Sequence, residues 1–311
     1  MKKLILALAA LALSHVALAA KPLLSPAELQ PLLSNPAVRV IDARDPKSYA
    51  QQHIPGAVNA PYGSWRGPAT NPGTVPELPQ LTALVQALGL TPQTHAVVVT
   101  SGADSTDFGA SARVYWTLKV LGLQELSILN GGMEAWSAAK LPTDNQPVKV
   151  AASTYQPQLD TRLIATREQV VSQIGDKKVS LIDARPAAFF RGETKHPAAS
   201  VPGTVKGAVN LENSRWFAQG SAAMVSPADA QKVAADAKLA PNDTVVSFCN
   251  TGHWAATNWF AMSEILGQKN VKLYPGSMVD WTQAPDALPM DNAPAGSPQA
   301  RAKVTGGAQT N

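Results

Sequence analysis

One cysteine stands in the chain, Cys249, within Ser247-Phe248-Cys249-Asn250-Thr251-Gly252-His253-Trp254-Ala255. The β-branched run Thr244 to Phe248 before it reads as a strand, and the apolar periodicity from Ala255 to Leu266 as a helix. A cysteine between a strand end and a helix start meets unpaired amide N–H groups and the positive end of a helix dipole. Both favour a thiolate over a thiol. Gly252 permits the tight path needed to curl a loop around an anion. In α/β sheets ligands bind outside the carboxyl ends of strands, where this loop lies. The chemistry implied is nucleophilic, with Cys249 as the catalytic thiolate and Asn250, Thr251, Gly252, His253 and Trp254 as its binding loop. The alternative is a buried cysteine that only fills space. A lone cysteine closes no internal disulfide, so it does not staple the fold.

The elements that must position this loop occur twice. Val40-Ile41-Asp42-Ala43-Arg44 matches Leu181-Ile182-Asp183-Ala184-Arg185, and Gly56-Ala57-Val58-Asn59 matches Gly207-Ala208-Val209-Asn210. Leu121-Gly122 matches Leu266-Gly267, and Asn130-Gly131-Gly132-Met133 to Trp136 matches Pro275-Gly276-Ser277-Met278 to Trp281. Four matches in one order, with a period of about 145 residues, indicate a duplicated domain. Each copy opens on a capping-box signal, Ser25 with Glu28 and Thr166 with Gln169. Strands are predicted at 38–41, 96–100 and 127–129, and again at 179–182, 244–248 and 271–273. Helices are predicted at 79–88 and 110–121, and again at 227–239 and 255–266. Short apolar strands alternating with helices predict an α/β fold, each copy a mainly parallel sheet flanked by helices.

These segments together resemble the rhodanese family, specifically its tandem thiosulfate or 3-mercaptopyruvate sulfurtransferases. The resemblance covers nearly the whole chain after residue 19. It implies two rhodanese-like domains, the second catalytic and the first inactive. Aligning Val97-Val98 with Val245-Val246 puts Ser101 opposite Cys249, with a first-copy loop about three residues longer. The mechanism implied is double displacement. Cys249 takes a sulfane sulfur from an anionic donor as a persulfide and passes it to a thiophilic acceptor, cyanide or a thiol. Arg185 matches the family's donor-binding arginine, its alternative being a salt bridge with Asp183. The resemblance puts a lysine or serine where this chain has Thr251, so His253 could supply the missing positive charge. Trp254 and Trp216 line the pocket or simply pack. The implied partners are small-molecule donor and acceptor, with a thiol-containing protein as a further acceptor. No cofactor and no metal are implied.

Two rival readings differ in kind. A cysteine phosphatase would need an arginine six residues after the cysteine, where Ala255 stands. A non-enzymatic persulfide carrier or binding module remains open. With 45% hydrophobic and 15% charged residues the chain has material for real cores. No basic run with interleaved aromatics supports nucleic-acid binding. Lys2 and Lys3, the apolar run Leu4 to Leu13 and Ala17-Leu18-Ala19 read as a signal peptide over 1–19, predicting an exported, periplasmic protein with no membrane segment after cleavage. Without Lys2 and Lys3, 24 basic residues face 22 acidic ones, a formal charge of +2. The domains are expected at 20–140 and 154–290, with a Pro/Asn/Asp-bearing linker at 141–153 and a disordered tail at 291–311.

Overall fold

A computed structural model of the protein describes residues 20–239 and 244–304; the expected leader lies outside them. The first copy runs β1 (Leu23–Leu24), α1 (Pro26–Leu29), β2 (Val38–Asp42), α2 (Pro46–Gln51), β3 (Val58–Asn59), α3 (Leu78–Ala87), β4 (His95–Val99), α4 (Ser105–Val120), β5 (Leu126–Leu129) and α5 (Gly132–Ala138). The second runs α6 (Arg167–Gln173), β6 (Val179–Asp183), α7 (Ala187–Phe190), β7 (Thr204–Val205), β8 (Val209–Asn210), α8 (Pro227–Asp236), β9 (Thr244–Phe248), α9 (Trp254–Phe260), β10 (Val271–Leu273) and α10 (Ser277–Thr282). Both expected capping boxes form: Ser25 and Thr166 accept from the amides of Glu28 and Gln169, whose side chains reach back to the cap amides.

Each copy builds one parallel sheet. The orders are β1-β5-β4-β2-β3 and β10-β9-β6-β8. Ile164 bridges Leu273 in parallel, the place β1 takes beside β5. The central strands β4 and β9 are buried on both faces, as parallel strands covered by helices must be.

The cross-strand register corrects the alignment of the two copies. Asp42 pairs with Val99 and Asp183 with Phe248. The residue after each strand is therefore Thr100 or Cys249, so Thr100, not Ser101, is the counterpart of the cysteine. The loops are also equal in length. Helix α4 begins at Ser105, capped by Asp104, five residues before the expected start, and α9 begins at Trp254. The sequence shift arose because two neighbouring valines look alike at either offset, whereas backbone pairing admits only one.

Helices α4 and α9 pack against each other and join the two domains. Phe108 and Tyr115 meet Phe260 edge-on at 5.7 and 5.0 Å between ring centres. Buried residues of both copies, Trp116 and Trp259 among them, form one continuous core. At its rim Glu264 accepts from Tyr115 Oη at 2.7 Å and pairs with Lys119 at 2.6 Å. Beyond Phe260 the helix widens into a π turn over Ala261–Ile265.

The expectation of a disordered tail from 291 is corrected for residues 291–304. Strand β11 (Met290–Asp291) pairs antiparallel with β7, and α11 (Pro298–Arg301) follows it. Asp291 accepts from the Gly207 amide at 2.7 Å, and Val304 packs on the second core. An Ala/Pro/Gly-rich stretch can still add a strand where an open edge offers amides. Residues 305–311 lie outside the description. No helix among the described residues is long and apolar enough to cross a membrane.

Candidate active site

Cys249 follows β9 at its carboxyl end and is 1% exposed. The loop from Cys249 to His253 closes around a side chain that the sequence reading passed over. Ser277 Oγ accepts from the amides of Cys249 at 3.0 Å and Gly252 at 3.1 Å, and donates to the Tyr274 carbonyl at 2.9 Å. Ser277 is fully buried and sits at φ 55°, a left-handed backbone that disfavours a side chain. Its counterpart in the first copy, Gly132, takes φ 56° without that penalty. A strained serine where the other copy uses glycine points to a task for its hydroxyl. The Gly132-to-Ser277 difference was visible in the repeat and is the signal that could have found it. The amides of Met278 and Val279 donate to the carbonyls of Cys249 and Asn250, each at 3.0 Å, and tie the loop to α10.

Two loop amides are thus engaged with Ser277 and do not face an anion. Among the described residues the amides of Asn250, Thr251 and His253 have no protein acceptor, and these remain to stabilise negative charge on the sulfur or its adduct. Gly252 sits at φ +65°; a Cβ there would come within 2.6 Å of the Pro275 carbonyl and 2.7 Å of Arg113 Nη1. The position demands glycine on both counts.

Arg185 is engaged otherwise than expected. Its Nε and Nη2 fork onto Asp183, with contacts of 2.9, 3.1 and 2.6 Å, and Nη2 also reaches the Gly203 carbonyl at 2.8 Å. Nη1 contacts Asn250 Oδ1 at 3.4 Å. Asp183 takes a further bond from Thr204 at 2.7 Å. Arg44 makes the same fork onto Asp42 in the copy that has no cysteine. A device present in both copies serves the fold common to both, so the salt-bridge alternative replaces donor binding for Arg185. It braces the cysteine loop through Asn250.

His253 also departs from expectation. Its Nε2 lies 2.8 Å from the Thr106 carbonyl, which makes Nε2 the protonated nitrogen, and Nδ1 accepts from Tyr62 Oη at 2.8 Å. Arg66 donates in turn to Tyr62 Oη. Burial, reinforced by the charges of Arg66 and Arg113, lowers its pKa to about 4. The ring is a neutral clasp between the domains and does not replace a lysine. Gly109 on α4 makes room for it: a Cβ there would lie 2.8 Å from the ring. Trp254 packs edge-on to Phe189 at 6.0 Å and donates to Thr106 Oγ1, and Trp216 is buried on Asn258.

The cations near Cys249 come instead from the first domain. Arg113, on α4, is wholly buried. Its Nη2 donates to the Gly73 carbonyl at 2.9 Å and Nη1 to the Gly252 carbonyl at 3.3 Å, while Nε has no partner. Burial lowers its pKa to about 10, with the nearby Arg66 acting in the same direction and Tyr62 and Cys249 opposing. Sequence reasoning missed Arg113, although a lone charge inside Ala112-Arg113-Val114-Tyr115-Trp116 breaks an otherwise apolar run.

A duplicated parallel α/β domain with a cysteine loop at the end of one central strand defines a class, and the chain belongs to it: the rhodanese-like domain family matches residues 25–139 and 166–284. The thiosulfate sulfurtransferase of Pseudomonas aeruginosa is 32% identical, over 85% of this chain and 94% of that protein. A probable 3-mercaptopyruvate sulfurtransferase of the same organism is 29% identical, over 85% and 95%. Among solved structures, SseA of Escherichia coli, described as showing the rhodanese fold, superposes with a TM-score of 0.72 at 21% identity, covering 83% of this chain and 99% of that one.

Proposed function

We propose that the protein is a sulfurtransferase that moves a sulfane sulfur from a small anionic donor, thiosulfate or 3-mercaptopyruvate, to a thiophilic acceptor through a persulfide on Cys249. One observation carries the reading: the only cysteine of the chain stands at the carboxyl end of the central strand of the second rhodanese-like domain, in a loop where, among the described residues, the amides of Asn250, Thr251 and His253 have no protein acceptor. With thiosulfate, the Cys249 thiolate attacks the outer sulfur. A new S–S bond forms, the S–S bond of the donor breaks, and sulfite departs with its electron pair. With 3-mercaptopyruvate the C–S bond breaks, and the carbon takes up the thiol proton to give pyruvate. Cyanide or a thiolate then attacks the outer sulfur of the persulfide and restores the Cys249 thiolate. The loop amides and the first-domain cations are fixed before reaction, so they stabilise this charge without reorganising.

The burial of Cys249 favours small donors and acceptors over a persulfide handed to a protein. Export to the periplasm is proposed from residues 1–19 alone. The test of the activity is thiocyanate formation from thiosulfate and cyanide, repeated with 3-mercaptopyruvate. Turnover that vanishes in Cys249→Ser with the fold retained is the expected result. Turnover that survives in that variant would end the proposal.

A further inference from the structure

Arg66 and Arg113 share a property that, among the described arginines, only Arg39 and Arg301 also have. Neither takes part in any ion pair among the described residues, whereas Arg185, Arg44 and Lys119 are each paired with a carboxylate. A buried cation without a counter-charge is costly, and such groups persist where they meet an anion that is absent from the chain itself. Arg113 is held by backbone carbonyl oxygens, one of them that of Gly252 in the cysteine loop, and lies over the Trp116 ring at 5.1 Å from its centre. Arg66 follows the turn Tyr62–Trp65 and lies over the Tyr62 ring, 5.1 Å from its centre. Its bond to Tyr62 continues to His253, so Arg66 is linked to the rim of the cysteine loop across the domain boundary.

A second element closes on the same place. His196 lies in the segment 192–204, and its pKa is lowered by burial and then by the charge of Arg66. Gln283 donates both to the Ala198 carbonyl of that segment at 2.9 Å and to the Thr70 carbonyl of the first domain at 3.1 Å. Arg66, half-buried and without a carboxylate partner, is tied through Tyr62 to His253 of the cysteine loop, and its charge is felt at His196 of the 192–204 segment. Arg185, which the sequence would have put in this role, has its charge neutralised by Asp183.

We propose that the first domain supplies the cationic half of the site: Arg66 binds the anionic group of the donor, and Arg113 behind it is the fixed counter-charge that positions the sulfur anion of Cys249. This rests on the sulfurtransferase reading and assigns its substrate contact to the domain without the nucleophile. The oxygens of the departing sulfite, or the carboxylate of mercaptopyruvate, present the acceptors a guanidinium fork fits.

The test compares the full chain with Arg66→Gln and Arg66→Lys. Loss of a charge-assisted contact made in both ground and transition states should raise the KM for thiosulfate about 10- to 100-fold in Arg66→Gln, with kcat changed far less. Arg66→Lys should recover part of the loss. Alkylation of Cys249 adds a readout independent of turnover. Arg66→Gln should slow reaction with the anionic iodoacetate while leaving uncharged iodoacetamide unaffected. An unchanged KM, or equal slowing by both reagents, would overturn the assignment and leave Arg66 as a structural residue. Were the unsubstituted protein to take no sulfur from thiosulfate or mercaptopyruvate, the sulfurtransferase reading would fall first and this inference with it.

Discussion

Asp183 and Arg185 form the most enclosed ion pair among the described residues, at 0% and 2% exposure. Removing the arginine leaves a carboxylate buried with only Thr204 and a backbone amide as donors. Arg185→Ala should therefore destabilise the protein by about 3–5 kcal/mol, read from urea unfolding. The KM of correctly folded protein should move little. A stable variant with a large rise in donor KM would instead return Arg185 to substrate binding. His253 carries the pH dependence. Its folded pKa of about 4 lies below the unfolded value of ~6.5. The folded state thus binds fewer protons in that window. The stability it contributes is complete above pH ~6.5 and is lost as pH falls through about 4. His253→Gln should flatten the decline of unfolding free energy between those limits. The same variant should leave the acid limb of the pH–rate profile in place, since the ring is neutral in the working range. A displaced limb would show that a charged His253 acts on the donor.

At the level of elements, the site is the meeting of α4 with the loop before α9. Gly109 exists so that α4 can pass the His253 ring; Gly109→Ala should displace the ring and break its bonds to Thr106 and Tyr62. A misplacement of this order near reacting atoms lowers kcat/KM by up to about a hundredfold, with the circular dichroism spectrum retained. Wild-type kcat/KM would show that the clasp has no part in alignment. The strands, both capping boxes and the cysteine loop were legible because their signals are local: β-branched runs, Ser/Thr three residues before Glu/Gln, a glycine beside a helix start. The register that pairs Thr100 with Cys249 was not, because Asp42 and Asp183 fix it from a different strand. The tail strand β11 was hidden for a similar reason. Its partner β7 lies far upstream, and composition alone spoke for disorder.

At the scale of the whole molecule the copy without a cysteine is joined to the copy that has one. The two domains share one core, and the cysteine loop of the second is contacted by Tyr62, Thr106 and Arg113 of the first, with Arg66 bonded to Tyr62. Duplication supplies a second surface, and the proposed roles of Arg66 and Arg113 make that surface half of the site. No reading of one copy could show this, since the contributing residues are far apart along the chain and adjacent only across the interface. The central claim is covalent, that Cys249 itself carries the sulfur. The direct measurement is the intact mass of the purified protein after thiosulfate, after 3-mercaptopyruvate, and again after cyanide. The account predicts a gain of about one sulfur atom with at least one donor, its loss on adding cyanide, and no gain in Cys249→Ser. An unchanged mass with both donors, or an equal gain in Cys249→Ser, would contradict it.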